Sequence, residues 1–256
     1  MKHLYMATIM SMAVLTAGCD KQDEEQGAVS SGVEPIVMPG RPDFSAITNV
    51  TEKKEAFFQY LLPYVERENQ RIAYERQHLV DYQKKLLRGE VLSSEDDAYA
   101  ARLAKLYSYS IAGNVSQAWL DEMLIRVDEL PPSLVLTQAA KESGWGTSRF
   151  AVEGNNYFGQ WCYQQGCGLI PNSRNASATH EVALYSSAAE SVHAYFMNIN
   201  RNRAYRYLRS IRAELRLDDE PVTGEALANG LLSYSERGQA YVSEIQSMIR
   251  QNANFW

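Results

Sequence analysis

One carboxylate, Glu142, lies in a segment whose residue types suit proton transfer to a sugar. Residues 138–161 place it near the end of an apolar helical pattern, and aromatic, asparagine and glycine residues follow. A carboxyl group held against apolar surface has a raised pKa, so it can still carry a proton near neutral pH. The segment therefore predicts an acid that donates its proton to a departing sugar oxygen.

The helical pattern also predicts where the Glu142 side chain points. Glu142 shares one helix face with Gln138 and Ala139, so the carboxylate projects from a stripe that is otherwise buried. The Gly-Trp-Gly sequence at 144–146 requires a tight turn directly afterwards, which favours the edge of a pocket. The alternative is a structural Glu paired with a basic neighbour at the helix end.

Three segments, in this order along the chain, resemble glycoside hydrolase family 73, the bacterial N-acetylglucosaminidases that cut cell-wall peptidoglycan. They are residues 138–146 with 155–159, residues 200–205, and residues 234–241. The resemblance covers about residues 126–252 and is strongest to the Bax-type branch of the family. It implies an endo-β-N-acetylglucosaminidase that cleaves the GlcNAc-β-1,4-MurNAc bond. It also implies that Glu142 is the general acid and that Tyr234 is the active-site tyrosine.

A second catalytic carboxylate is harder to place. Relatives that have one carry it as a Glu in the first strand of the β lobe, and residues 168–176 contain none. Glu181 is the nearest acidic residue in the lobe and Glu153 is another candidate, although either could be a surface charge. A mechanism assisted by the substrate's own 2-acetamido group needs no second carboxylate, and we favour it, with Tyr234 orienting the sugar or stabilising developing charge.

Aromatic and amide side chains near Glu142 are candidates for sugar binding. An aromatic face can stack on a sugar ring, and an Asn amide can pair with an acetamido group. Trp145 and Phe158 are expected in the core, whereas Tyr157 and Trp161 are expected in the cleft because their polar ends need partners. The predicted substrate-binding residues are Gln138, Asn156, Tyr157, Trp161 and Tyr205.

Two other functions remain open. A muramidase or lytic transglycosylase would also place a single Glu at the end of a helix, and a transglycosylase needs no second carboxylate. A catalytically degenerate relative that binds glycan and tethers the wall to the membrane is the non-enzymatic alternative.

The N-terminus resembles a bacterial lipoprotein signal. Residues 4–17 are apolar, and Thr16-Ala17-Gly18 leads into Cys19, the predicted lipidated first residue of the mature chain. An ordinary secretory signal is the alternative. Asp20 after this Cys resembles the inner-membrane retention signal of enteric bacteria, so we expect a lipid-anchored protein on the periplasmic face of the envelope.

The other two cysteines, Cys162 and Cys167, are predicted to form a disulfide, because an exported chain meets an oxidising compartment. A zinc site with His180 is the rival, but the sequence has no ligand pair such as His-Glu-x-x-His. We expect no metal and no cofactor. The formal net charge of −6 excludes a basic nucleic-acid-binding surface. The expected partners are peptidoglycan glycan strands and the membrane.

The remaining pattern is mostly helical. We predict a signal peptide at 1–18, an acidic Gly/Ser/Pro tether at 19–43, an N-terminal helical region at 44–125 and the catalytic domain at 126–256. Helical runs cover 51–62 and 64–88, with Val65, Ile72 and Leu79 seven residues apart. The predicted fold is mainly α and lysozyme-like α+β: a helical bundle with a small β-hairpin lobe beside the cleft.

Overall fold

The computed structural model describes residues 40–171 and 180–256. The predicted signal peptide, Cys19 and residues 19–39 of the tether lie outside these residues. The fold is mainly α with a small β lobe, as the sequence predicts. The helices are α1 Val50–Leu87, α2 Ser94–Leu106, α3 Gln117–Arg126, α4 Pro132–Ser143, α5 Arg149–Gly154, α6 Ala188–Arg201, α7 Arg206–Leu217, α8 Gly224–Ala228 and α9 Gln239–Gln251. The strands are β1 Trp161–Cys162, β2 Gly168–Leu169 and β3 Glu181–Ala183, and 3₁₀ turns cover Arg203–Tyr205, Asn229–Leu231 and Ala253–Phe255.

Helix α1 is continuous where the sequence predicts two runs. Asn49 caps it by accepting from the backbone N–H groups of Thr51 and Glu52, and Pro63 lies inside it. A proline within a helix removes one backbone hydrogen bond. The buried stripe extends on both sides of Pro63, from Phe57 to Tyr82, so packing along the whole helix offsets this loss.

Serine side chains cap four other helices of the described chain. Ser116 caps α3, Ser148 caps α5 and Ser187 caps α6. The capping box of α2 is formed by Ser93 and Asp96. Ser94 and Asp97 have the same spacing one residue later, but Ser94 is already the first residue of the helix.

One hydrophobic core joins the N-terminal helices to the rest of the described chain. Helix α1 packs against α3, α4 and α6, and α4 also packs against α8 and α9. Core residues run from Phe44 to Ile249. The division of the chain at residue 126 remains a prediction. Within the described residues, no helix is both long enough and apolar enough to cross a membrane.

The β lobe is a three-stranded antiparallel sheet in the order β1-β3-β2, larger than a single hairpin. The Cys162–Cys167 disulfide forms, as predicted, and closes the turn between β1 and β2. Glu181 in β3 is 5% exposed, and its carboxylate accepts from the N–H groups of Gly166 and Gly168 at 3.0 and 2.8 Å. The disulfide and this carboxylate therefore fix the same turn.

A buried arginine holds the connection that leads into α4. Arg212 of α7 is fully buried and donates to the carbonyl oxygens of Ile125, Asp128 and Glu129 at 2.9 to 3.1 Å. The Asp128 carboxylate pairs with Arg216 at 2.9 Å. Since buried carbonyl groups need donors, Arg212 stabilises the loop that sets the start of the helix carrying Glu142.

Candidate active site

The turn after Glu142 explains the local sequence. Gly144 ends α4 with a left-handed φ of 57°, and Trp145 and Gly146 follow at 58° and 76°. A Cβ at Gly146 would lie 2.4 Å from the Phe44 ring, so only glycine fits there. Ser143 Oγ accepts from the Gly146 N–H at 2.8 Å and closes the turn. Glu142 is thus fixed on the last turn of a buried helix.

Glu142 is half-buried, and burial raises the pKa of its carboxyl group above the usual value. The hydrogen bond from Tyr241 and the charge of Lys141 act in the opposite direction, and the charge of Glu244 adds to the rise. The balance favours the protonated form more than in water. A carboxyl group of this kind can act as a general acid near neutral pH.

A chain of hydrogen bonds leads from the core to this carboxyl group. The Tyr195 hydroxyl donates to Gln138 Oε1, and Gln138 Nε2 donates to the Tyr241 hydroxyl at 3.0 Å. The Tyr241 hydroxyl then donates to Glu142 Oε1 at 2.8 Å. Helices α4, α6 and α9 each supply part of this network, so their packing determines the orientation of the carboxyl group.

A groove of about 820 Å³ lies beside Glu142. This volume is ample for a sugar ring. Trp161, Tyr163 and Tyr185 contribute aromatic rings, and Asn198 and Arg201 contribute polar groups. The other lining residues are Ser108, Phe158, Gly159, Gln160, Ala194, Asn202, Tyr205, Ser233, Tyr234, Ser235 and Glu236.

Glu142 itself does not line the groove but lies next to it, behind Gly159. A Cβ built on Gly159 would be 3.9 Å from Glu142 Oε2, and Gly159 lines the groove. Oε2 is therefore the carboxyl oxygen nearer the groove, whereas Oε1 is bonded to Tyr241. Because Gly159 has no side chain, no Cβ at this position fills the space next to this oxygen.

Tyr234, the tyrosine implied by the family resemblance, lines the groove close to Glu142. Its ring stacks on Tyr241, with centroids 5.5 Å apart and planes 12° from parallel. Its hydroxyl donates to the Phe158 carbonyl oxygen at 2.9 Å, which ties the turn at 233–236 to the loop before Gly159. The tyrosine thus joins the two walls of the groove next to the carboxyl group.

The structure places two of the predicted sugar-binding residues in the groove. Trp161 is 55% exposed and its ring stacks on His180, with centroids 3.8 Å apart. Tyr205 is largely buried, but it lines the groove and its ring lies 6.1 Å from that of Tyr234. Contact of either residue with a sugar stays a prediction.

The prediction that Tyr157 lies in the cleft is wrong. Its side chain is fully buried, and its ring packs against those of Phe57 and Tyr60. Helix α1 supplies this aromatic pocket, and the local sequence around Tyr157 does not indicate it.

Gln138 and Asn156 are also fully buried, and their amides have protein partners. Gln138 joins two tyrosines of the network rather than facing the groove. Both N–H groups of the Asn156 amide donate to the carbonyl oxygens of Gln160 and Ala183 at 2.9 Å. Its oxygen accepts from the Phe158 and Gln160 N–H groups. Sugar binding by Asn156 would require these bonds to break, so in this structure it shapes the loop.

Neither predicted second carboxylate is among the groove-lining residues. Glu181 is committed to the turn of the β lobe, as described above. Glu153 is exposed and lies 3.7 Å from Arg149 on the same helix. Glu181 therefore has a structural role and Glu153 lies on the surface, so neither position requires a catalytic role to explain it.

Sequence reasoning missed three residues of the site. Tyr241 and Tyr195 belong to the network, and Glu236 is the carboxylate that lines the groove within the described residues. The sequence holds a signal for Tyr241, since it lies seven residues after Tyr234 in one of the family-like segments. Glu236 lies in the same segment, but its place in the groove depends on the fold of the turn at 233–236. Tyr195 has no such signal, because its position depends on how α6 packs.

The cysteine cluster offers no open thiolate ligand for a metal. Ligand atoms of Cys162, Cys167 and Glu181 lie within 4.8 Å of one another, but the two sulfur atoms are bonded to each other. His180, the third ligand of the rival zinc site, stacks on Trp161. This cluster therefore serves the β lobe as a structural crosslink.

Comparisons with known proteins give a family model and a relative. The model of the glucosaminidase family, described as mannosyl-glycoprotein endo-beta-N-acetylglucosaminidase, matches residues 121–254. Protein bax of Escherichia coli (strain K12) is 35% identical over 211 residues, which cover 82% of this chain and 74% of that protein. No solved structure was found to match the chain. The matched segment contains Glu142, Tyr234 and the whole tyrosine network.

Proposed function

Because the chain belongs to the glucosaminidase family, we propose that it is a peptidoglycan hydrolase whose general acid is Glu142. The bond it cleaves is the β-1,4 bond from N-acetylglucosamine to N-acetylmuramic acid. The observation that carries this proposal is the half-buried carboxyl group of Glu142 beside a groove of about 820 Å³. Burial keeps that group protonated to higher pH than a surface Glu.

The first chemical step transfers one proton. Glu142 donates it to the glycosidic oxygen as the bond between that oxygen and the anomeric carbon breaks, and the bonding electrons stay with the departing muramic acid oxygen. The carbonyl oxygen of the substrate's 2-acetamido group attacks the anomeric carbon and forms a cyclic intermediate. Water then opens this intermediate, and the Glu142 carboxylate takes a proton from the water.

Substrate assistance suits the surroundings of Glu142. Within the described residues, Glu236 is the acidic residue that lines the groove. It is exposed on a turn and lacks the burial that distinguishes Glu142. Tyr234 orients the sugar through its ring, and its hydroxyl oxygen can still accept a hydrogen bond while donating to Phe158.

A lytic transglycosylase is the second candidate, and the lack of an assigned second carboxylate favours it. Product analysis separates the two. Purified peptidoglycan digested with the full chain is reduced with borohydride and analysed by mass spectrometry. The proposal predicts reduced glucosamine ends. Reduced muramic acid or anhydromuramic ends would overturn the bond assignment.

We further propose that the protein is exported and held at the periplasmic face of the envelope by lipid on Cys19. The support is the apolar stretch at 4–17 and the small residues before Cys19. One acyl chain binds a membrane only marginally, so several chains on this residue are needed for a stable anchor. Cys19→Ser should move the protein from the membrane fraction to the soluble periplasmic fraction. An unchanged membrane fraction would contradict lipidation at Cys19.

A further inference from the structure

The hydrogen-bond chain that ends at Glu142 has a defined direction when the carboxyl group is ionised. An ionised carboxylate can only accept, so the Tyr241 hydroxyl must donate to it. The oxygen of Tyr241 is then the acceptor for Gln138 Nε2, and Gln138 Oε1 is the acceptor for the Tyr195 hydroxyl. The ionised state of Glu142 therefore fixes which group donates and which group accepts in all three hydrogen bonds.

The same arrangement can persist when Glu142 is protonated, provided that the proton lies on Oε2. A proton on Oε1 would make that oxygen the hydroxyl of the acid, which is a weaker acceptor for the Tyr241 hydrogen than a carbonyl oxygen. Donation from Oε1 to Tyr241 would instead require the Tyr241 hydroxyl and the buried amide of Gln138 to reverse their roles. Unpaired buried polar groups cost free energy, so such a rearrangement is unfavourable. Oε2 is also the oxygen that lies behind Gly159, next to the groove.

We propose that Tyr241 is a positioning residue that keeps the acidic proton of Glu142 on Oε2, the oxygen nearer the groove. Gln138 and Tyr195 fix the direction in which Tyr241 donates. The inference rests on the proposed function, since it concerns the proton that the general acid transfers. It assigns a task to three buried residues that do not themselves line the groove.

Several other groups face Glu142 from the elements packed around it. Lys141 precedes it in α4, and Glu244 in α9 pairs with Lys141 at 2.5 Å and with Arg237 at 2.6 Å. Tyr195, Tyr205 and Tyr234 also lie within its electrostatic influence. Burial raises the pKa of these three tyrosines, so they stay neutral over the pH range in which Glu142 titrates. The Lys141 and Glu244 charges remain unchanged in any Tyr→Phe variant.

The direction of the pKa change separates positioning from a merely structural role. The Tyr241 bond lowers the pKa of Glu142 because it favours the ionised form. Tyr241→Phe therefore raises the pKa if the site otherwise keeps its shape. A variant that only loosened the site would let water reach the carboxyl group and lower its pKa towards the ordinary value.

The test is an NMR titration of the side-chain carboxyl group. The full chain is labelled with ¹³C at the glutamate carboxyl carbon, and Glu142→Gln identifies the Glu142 signal. We expect Tyr241→Phe to move the midpoint of that signal to higher pH and to lower kcat on peptidoglycan by about tenfold or more. The basic limb of kcat should move upward together with the NMR midpoint, because the acid must be protonated to act.

Tyr107→Phe is the matched control. Tyr107 is a buried tyrosine that donates to a buried carboxylate, Glu75 Oε2, at 2.7 Å, but this pair lies between α1 and α2. The variant removes the same kind of bond and should leave the Glu142 midpoint unchanged. If Tyr241→Phe does not fold, Gln138→Leu replaces it in the titration. We expect this variant to raise the Glu142 midpoint by a smaller amount, because Tyr241 donates more strongly while it accepts a hydrogen bond from Gln138.

A midpoint that stays unchanged or falls in a folded Tyr241→Phe variant would overturn the positioning role. The proposed function fails separately. If Glu142→Gln still releases reducing ends from peptidoglycan, the general acid is misassigned. The NMR midpoints would still show whether Tyr241 controls the protonation of Glu142.

Discussion

At the scale of single residues, the surroundings of three carboxylates decide what each can do. Glu142 is half-buried with one hydrogen-bond donor, Glu181 is buried and accepts from two backbone N–H groups, and Glu236 is exposed in the groove. The apolar pattern and the following glycine turn were enough to predict that Glu142 lies at the end of a buried helix. The sequence could not predict the donors to Glu181, because residues 166–168 meet β3 only after the lobe has folded.

The raised pKa of Glu142 predicts the pH dependence of activity. A general acid works while it is protonated, so hydrolysis is lost as pH rises through the pKa of Glu142. Burial moves that loss to higher pH than for an exposed Glu. Measurement of kcat from acidic to alkaline pH should show the basic limb above the range of an ordinary carboxyl group. A limb within the ordinary range would show that the group is solvated in the working enzyme.

Substitutions of Glu236 and Glu181 test whether a second carboxylate takes part. The acetamido-assisted mechanism predicts that Glu236→Gln keeps most of the wild-type kcat. Glu181→Gln should lower the melting temperature, since one of its backbone donors would face an amide N–H group. A loss of about 100-fold or more in kcat for folded Glu236→Gln would instead identify a second catalytic group.

At the scale of elements, helix α1 places charged groups inside the fold as well as apolar ones. The sequence predicts its apolar stripe and gives no partners for Glu68 and Glu75, which interrupt that stripe. In the structure both are buried, and Arg71 lies 2.7 Å from each of them. His193 of α6 lies 2.9 Å from Glu68. Their partners come from distant parts of the chain or from the next helical turn, which an apolar periodicity does not encode.

The pair between α1 and α6 predicts a stability that depends on pH. Burial alone would raise the pKa of Glu68, but hydrogen bonds from His193 and Arg71 lower it to about 2. The stabilisation is therefore fully present above the usual value of 4.5 and is lost as pH falls towards 2. Urea unfolding should show Glu68→Gln less stable than wild type by about 2 kcal/mol at neutral pH.

The difference in free energy of unfolding between these two proteins should shrink as the pH is lowered through that range. Glu66→Gln, a change at an exposed position of the same helix, provides the control and should leave stability nearly unchanged at every pH. If the difference in free energy of unfolding between wild type and Glu68→Gln does not change with pH, the ion pair is not the source of the stabilisation.

At the scale of the whole molecule, the sequence predicted the fold class, but it did not reveal how far the N-terminal region contributes to the site. The turn at 144–146 packs on Phe44, and Trp145 packs on Phe57 and Phe58. These contacts join residues about 90 to 100 positions apart, and no local pattern reports them. The predicted boundary at 126 follows the family-like segments, whereas the core continues across it.

The shared core predicts that the C-terminal segment does not fold alone. A fragment of residues 126–256 lacks α1, α2 and nearly all of α3, so the apolar faces of α4 and α6 would be exposed. We expect this fragment to show no cooperative thermal unfolding by circular dichroism, and the fragment 40–256 to melt like the full chain. A cooperative transition and peptidoglycan activity in the shorter fragment would establish the boundary at 126 as a true domain boundary.

The most direct test of the central claim is the activity of Glu142→Gln. The substitution keeps the shape of the side chain and an oxygen that can accept from Tyr241, but it removes the transferable proton. Release of reducing ends from purified peptidoglycan should fall by about 10²- to 10⁴-fold, with the melting temperature nearly unchanged and Glu153→Gln as active as wild type. A folded Glu142→Gln variant that hydrolyses peptidoglycan at the wild-type rate would contradict the account.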